Sequence, residues 1–339
     1  MSRAAVCALL AVVLGGPLLA QDAAPVSSAS APPMRGVTLP LHSLDPAHDY
    51  GALLRELPAL GVTHVCVVVK IFQTNGKSAT PGRRLRGTPN DLVVLRTLAQ
   101  ARRLGLEVVL LPALFLVHPS ADEWRGNLAP PDWGVWFAGY RRELLHFARL
   151  AEQAQAAVLV VGSELSSAEA QADLWRGTIE RTRRVFSGRL TYAANWDHYQ
   201  HVPFWEDLDY VGLSAYYELA DGPDPTLEQV LGAWKRVRGQ LLTWRAQRGL
   251  RQPLVFLEVG YTSVDGTLSA PWDYTRRAPL DLDEQALGYE AFARCWGGQP
   301  ALAGCFFYEW WGEGGAEDRG YTPRGKPAAK VLERFYRAR

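Results

Sequence analysis

Two glutamates carry the clearest chemical signal in the chain. Glu164 closes the run Val-Leu-Val-Val-Gly-Ser-Glu-Leu, and Glu258 sits in Pro-Leu-Val-Phe-Leu-Glu-Val-Gly-Tyr. Each follows a short apolar stretch rich in β-branched residues, the pattern of a buried strand rather than a helix face. An ionised carboxylate at the mouth of such a strand loses its hydration unless it faces a polar cleft. Two of them, on strands far apart in sequence, are what glycoside hydrolysis requires: one acid, and one nucleophile or base.

Both glutamates need a rigid frame, and the chain supplies one. From Met34 onward strands alternate with amphipathic helices, the mark of a parallel sheet with crossover helices. Strands are expected at 35–39, 62–71, 106–115, 157–162, 189–194, 210–215, 254–257 and 303–308. Helices are expected at 50–60, 90–104, 134–154, 168–186, 227–248, 283–296 and 327–337. Thr88-Pro89-Asn90-Asp91 is a good helix start, and Gly105 a good stop. Eight units without a second-domain linker argue for an α/β fold, a single (β/α)8 TIM barrel over 34–339. An open doubly wound sheet would carry a phosphate-binding glycine motif at an early turn, and none occurs at any strand–helix junction.

In a barrel the site lies at the C-terminal ends of the strands. Reading only those ends collects Lys70, Gln73 and Asn75, then His118, Trp124 and Arg125. Ser163 and Glu164 follow, with Asn195, Trp196 and Asp197, then Tyr216 and Tyr217, Glu258 and Tyr261, and Glu309, Trp310 and Trp311. Loop ends are polar in any barrel, but that does not account for so many Trp and Tyr residues among hydrogen-bonding groups. The chain holds 12 Trp in 339 residues, and indoles stack on the apolar faces of sugar rings as readily as they fill cores. Trp136, Trp175, Trp234 and Trp244 fall on helices at amphipathic positions and are read as packing. Asp207 and Asp209, ahead of strand six, are read as turn residues.

The chain resembles glycoside hydrolase family 113, a clan A family of (β/α)8 enzymes known as β-mannanases. The likeness runs from about Arg35 to Tyr336. It is carried by Trp124-Arg125-Gly126, Val161-Gly162-Ser163-Glu164-Leu165 and Leu190-Thr191-Tyr192-Ala193-Ala194-Asn195. It continues through Phe204-Trp205-Glu206-Asp207-Leu208-Asp209-Tyr210-Val211-Gly212, Ala215-Tyr216-Tyr217 and Leu257-Glu258-Val259-Gly260-Tyr261. The resemblance implies that Glu164, ending strand four, is the acid/base and that Glu258, ending strand seven, is the nucleophile. It implies a retaining hydrolase of β-linked polysaccharide or oligosaccharide, with β-1,4-mannan the leading substrate, working by double displacement. Lys70, Trp124, Arg125, Ser163, Asn195, Trp196, Tyr216, Tyr217, Tyr261, Trp310 and Trp311 are then expected to contact substrate. Two positions depart from the family pattern. Ser163 stands where most clan A enzymes carry an Asn that binds the sugar 2-hydroxyl, and Lys70 stands where an aromatic residue is usual. A glycosidase on another β-glycan and a non-catalytic glycan-binding barrel are the other readings.

The scheme needs opposed proton affinities. Like-charge proximity is expected to raise Glu164, while donors such as Tyr216 or Tyr217 hold Glu258 ionised. No cofactor is implied, because two carboxylates suffice. No metal is expected either: His198 and His201 are spaced HxxH without a surrounding HExxH or an evident acidic third ligand. Nucleic acid is not an expected partner, since Lys and Arg are interspersed with Asp and Glu and the net charge is +1. Residues 1–20 read as a secretory signal, with Arg3 ahead of an apolar run to Leu19, and an uncleaved anchor is the alternative. Residues 21–33, rich in Ala, Ser and Pro, read as a disordered linker, so the barrel is expected outside the cytoplasm, secreted or periplasmic. Export would permit a Cys295–Cys305 disulfide, which their helix and strand positions disfavour, and Cys66 reads as core.

Overall fold

The computed structural model describes residues 32–338 apart from 46, 85 and 86. The signal expected over 1–20 and nearly all of the linker expected over 21–33 lie outside the described residues.

Eight parallel strands close into a barrel in sequence order. Strand β1 (Met34–Pro40) leads to helix α1 (Gly51–Glu56), and β2 (His64–Gln73) leads to α2 (Asp91–Arg103). Strand β3 (Glu107–Leu116) is followed by α3 (Trp133–Gln153). After β4 (Val158–Ser163) come a single turn, α4 (Ser166–Glu169), and then α5 (Ala172–Arg183). Strand β5 (Arg189–Asn195) connects to β6 (Val211–Ser214) through two short 3₁₀ turns, Tyr199–His201 and Trp205–Asp207. Helix α6 (Leu227–Gln247), β7 (Leu254–Val259), α7 (Leu282–Trp296), β8 (Leu302–Phe307) and α8 (Pro327–Arg337) complete the chain. The eight units expected from the periodicity are all present. The helix expected over 168–186 is broken, and the one expected over 50–60 ends at Glu56, where Pro58 offers no N–H to continue it.

Alternation along the strands sorts the core into two layers. Cys66, Val68, Val109, Leu111, Val158, Val160, Ala193, Val255, Leu257 and Phe306 fill the barrel. Their neighbours Val65, Val67, Leu110, Leu159, Leu190 and Phe256 face outward under the helices. Trp136, Trp175 and Trp234 are fully buried in that outer layer and Trp244 packs against it, as the helix periodicity predicts. Helix starts are fixed by side-chain caps: Asn90 accepts from Val93 N at 2.9 Å, and Asp132 from Val135 N at 2.9 Å. Asp209 accepts from Leu190 N at 2.7 Å and pairs with Arg183, which ties the segment before β6 to β5 and α5. Cys66, Cys295 and Cys305 are all buried free thiols. Among the described residues no helix is long and apolar enough to cross a membrane.

Candidate active site

The two glutamates reach the mouth of the barrel by the same device. Val160 pairs with Thr191 and Ser163 with Ala193, so β4 carries one more residue than β5 across that step. Leu213 pairs with Phe256 and Ser214 with Glu258, so β7 carries one more than β6. Each bulge inverts the alternation beyond it and re-aims the next side chains. On β4 the extra residue brings Gly162 to the outer wall, where a Cβ would lie 2.7 Å from Trp175 and 2.8 Å from Tyr192. Glu164 follows in the left-handed region, φ 54°, with its N–H bonded to Ala193 O at 2.8 Å. On β7, Leu257 and Glu258 fall in succession, and the carbonyl of Glu258 accepts from Ala215 N at 2.7 Å. Both carboxylates are nearly buried, at 6% and 7% exposure.

Their surroundings differ. Arg125, on the β3–α3 loop, donates to Glu164 Oε2 through Nε at 3.0 Å and Nη2 at 2.5 Å. Its guanidinium lies over the Phe115 ring at 6.0 Å. Glu258 accepts from the Tyr216 hydroxyl at 2.7 Å. Burial and the nearby charge of Glu164 push Glu258 up to about 7, against the opposing pull of Arg125 and Tyr216. Tyr216 is the donor foreseen, but burial outweighs it at Glu258, which is a correction to the expectation that donors hold that group ionised, and the cation sits on Glu164.

The other strand-end residues have partners of their own. Lys70 lies over Phe115, its ammonium 5.3 Å from the ring centre, and burial lowers its proton affinity against the pull of Glu309. Glu309 approaches His42 Nε2 at 3.5 Å. The Ser163 hydroxyl is buried with no hydrogen-bond partner among the described residues, an acceptor and donor still to be satisfied. Asn195 donates to Asp197 at 2.9 Å. Trp196 stands edge-on to Tyr217 at 5.5 Å and stacks on Trp272 at 5.6 Å with 23° between the rings. Trp272 and Trp124 are each 42% exposed, a large area for indoles. Trp311 is half-buried against His48 and Tyr50.

Two expected sugar contacts are core residues instead. Tyr261 is wholly buried, its ring resting on α7 where Gly288 leaves room: a Cβ there would lie 2.6 Å from the ring. Trp310 is 3% exposed. Its indole N–H donates to Glu56 Oε2 at 3.1 Å, and Arg324 pairs with the same carboxylate. Trp310 therefore lines a cavity of about 410 Å3 with Glu56, Leu60 and Arg324, of which neither glutamate is part. Tyr217 is buried at 6%, with its ring between Trp196 and Trp234. The reading of strand ends missed Trp272, Tyr308 and Tyr321. Tyr308 and Tyr321 flank Tyr216, at ring separations of 6.4 and 6.0 Å, and both feel the charge of Glu258. Trp272 follows Pro271 in the β7–α7 loop, and nothing local in the sequence marks its stacking partner.

The His198 and His201 rings lie 4.6 Å apart, tilted by 31°, and His198 is committed to Glu169. Among the described residues Asp224, Asp265 and Asp281 come close enough to share a cation, but Asp281 already caps α7.

Comparison with known proteins gives the family and the fold. The chain matches the sequence model of Glycoside Hydrolase Family 113 over residues 48–326. No curated protein matches it by sequence. Among solved structures it is similar to a β-mannanase of the same family from Alicyclobacillus acidocaldarius, at 27% identity and a TM-score of 0.80. That match covers 90% of this chain and 97% of the other. It is similar to a second family 113 β-1,4-mannanase at 23% identity and a TM-score of 0.81, covering 91% of this chain and all of the other. A β-glucuronidase from Faecalibacterium prausnitzii shares the fold at 12% identity and a TM-score of 0.61, with 90% of this chain and 48% of that one covered.

Proposed function

The chain belongs to glycoside hydrolase family 113, and we propose that it is a retaining β-mannanase in which Glu258 is the nucleophile and Glu164 the acid/base. The observation that carries the assignment is a pair of nearly buried carboxylates at the ends of β4 and β7, one held by Arg125 and the other by Tyr216. Like charges this close do not both ionise readily, so the working state is the pair holding one proton. Glu258 attacks the anomeric carbon as its bond to the leaving oxygen breaks, and Glu164 passes its proton to that oxygen. Glu164, now ionised, takes a proton from water. The water oxygen bonds to the anomeric carbon and releases Glu258.

In the free enzyme Arg125 favours the proton on the opposite carboxylate. Substrate must therefore draw Arg125 off Glu164 Oε2, or present the leaving oxygen to the other face of that carboxylate. Ser163, buried and unpartnered, is assigned to a sugar hydroxyl. The Trp196–Trp272 stack, exposed on its Trp272 side, is assigned to a sugar ring beyond the cleaved bond. Mannan as the substrate rests on the two similar β-mannanases and on the family. Lys70 beside Glu309 favours a second reading, another β-linked glycan with a polar substituent at that point.

Incubation with mannan, glucomannan, cellulose and xylan, followed by product analysis and anomeric NMR, separates the readings. The expected outcome is manno-oligosaccharides released first as the β-anomer. Release of the α-anomer would overturn retention, and a preference for cellulose or xylan would overturn mannan.

A further inference from the structure

Beyond the two carboxylates and Arg125, a buried chain of hydrogen bonds runs from the β5 loop to the backbone of Glu164. Glu164 occupies the left-handed region without being glycine, a conformation that persists only when its surroundings hold it. Its own N–H bonds to Ala193 O at 2.8 Å. The next amide, Leu165 N–H, does not bond to a neighbouring strand; it donates to the hydroxyl of Tyr192 at 2.8 Å. That hydroxyl donates in turn to Glu169 Oε1 at 2.8 Å. The other oxygen of Glu169 meets His198 Nδ1 at 2.6 Å.

The chain has one direction. An ionised carboxylate only accepts, so Tyr192 spends its proton on Glu169 and turns a lone pair toward Leu165. Without Glu169 the hydroxyl is free to rotate, and the Leu165 amide loses its fixed acceptor. Glu169 is 1% exposed and His198 about one-third exposed, so the chain passes from solvent to core. Asp197 faces Glu169 from the same loop, and the His201 ring lies 4.6 Å from that of His198. Tyr192 is clamped by Trp175 and Phe204, which fixes the ring and leaves only the hydroxyl to be oriented. The loop after β5 that carries His198 also carries Trp196, so a sugar seated on Trp196 bears on the far end of the chain.

We infer that Tyr192, Glu169 and His198 form a positioning relay that sets the backbone at Glu164 and so aims its carboxyl at the leaving oxygen. None of the three is placed to touch substrate at the cleaved bond, so they are positioning residues rather than catalytic ones. The inference rests on Glu164 being the acid/base, and the test separates the two.

The readout is dependence on the leaving group. Dinitrophenolate leaves a dinitrophenyl β-mannobioside without a proton, whereas the leaving sugar of a manno-oligosaccharide requires one in the same step, and kcat/KM reports that step for both. In Tyr192→Phe and Glu169→Ala, kcat/KM on the oligosaccharide is expected to fall roughly tenfold to a hundredfold. On the aryl glycoside it changes less than about threefold. Glu169→Gln, which keeps an acceptor for Tyr192, restores most of the loss, and His198→Ala shows the smallest effect. Equal loss on both substrates, or none on either, would overturn the relay. Should Tyr192→Phe not fold, the Glu169→Ala and Glu169→Gln pair decides alone. Glu164→Ala is the control: if it loses both substrates equally, the acid/base assignment fails, whatever the relay variants do.

Discussion

The two ends of the cleft mount the same functional group in opposite ways. Glu258 belongs to the sheet: its carbonyl is in the ladder, its backbone is ordinary extended chain, and Tyr216 fixes one oxygen. Glu164 lies just past the sheet, on a left-handed residue ahead of a one-turn helix, and a long flexible arginine holds its carboxylate. A nucleophile must arrive at one carbon in one direction, and a strand interior provides that. An acid/base must give a proton away and then take one from water in a different place, and an exchangeable ionic partner on a loop suits that. The difference teaches that the bulges supply direction, while the partners decide which carboxylate holds the proton.

The largest effect expected is on the strand side. Glu258→Gln keeps the Tyr216 hydrogen bond and the shape of the cleft but has no nucleophile. Turnover should fall on the order of 10⁴-fold or more on every substrate, activated or not. A steady-state assay with both substrate types checks it. Survival of activity on the aryl glycoside would mean that the two glutamates have exchanged roles.

The same variant should gain stability, and the gain should depend on pH. The folded-state value of Glu258 is raised from 4.5 to about 7. A raised carboxylate contributes its stability below the unfolded value and loses it as pH rises through the folded one. Wild-type protein therefore gives up at most about 3 kcal/mol between pH 5 and 8 on this account. Glu258→Gln does not titrate, so its advantage in denaturant unfolding should be small at pH 5 and widest at pH 8. A gap that narrows with rising pH would show that burial does not oppose the charge of Glu258.

Arg125 sharpens the comparison by linking the two ends. The upper value of the coupled pair sets where the singly protonated form is lost, so kcat/KM should decline above about pH 7. Arg125→Met removes a cation that favours ionisation of both groups. The declining limb should move up by about one unit, with a lower plateau. A limb that stays in place would mean that Arg125 binds substrate and leaves the proton alone.

Much of this was legible in the sequence. The eight strands announce themselves by apolar runs, and each glutamate follows one directly, so its rank in the barrel could be counted. What could not be read depends on partners distant in the chain. Tyr261 follows β7 just as Tyr216 follows β6, yet Gly288 on α7 opens a place for its ring and takes it out of the cleft. Trp310 and Trp311 are adjacent, and only the acceptor on Glu56 tells them apart. The Trp196–Trp272 stack joins loops from different strands. Arg125 was collected as a cleft residue, but that it would choose Glu164 is fixed by the loop's path, which periodicity does not encode.

The smallest effect tests the backbone contrast itself. At φ 54° a side chain with a Cβ is disfavoured and glycine is not, so Glu164→Gly should be more stable than Glu164→Ala by about 1 kcal/mol. At Glu258, in extended chain near the end of β7, the order should reverse, because glycine loses more chain entropy and has no strain to relieve. Urea unfolding of the four variants at one pH measures both differences, and comparing Gly with Ala at each site cancels the lost carboxylate. If glycine is the worse residue at both sites, Glu164 is not strained in solution. The relay would then have nothing to hold, and the loop carrying the acid would be as much at rest as the strand carrying the nucleophile.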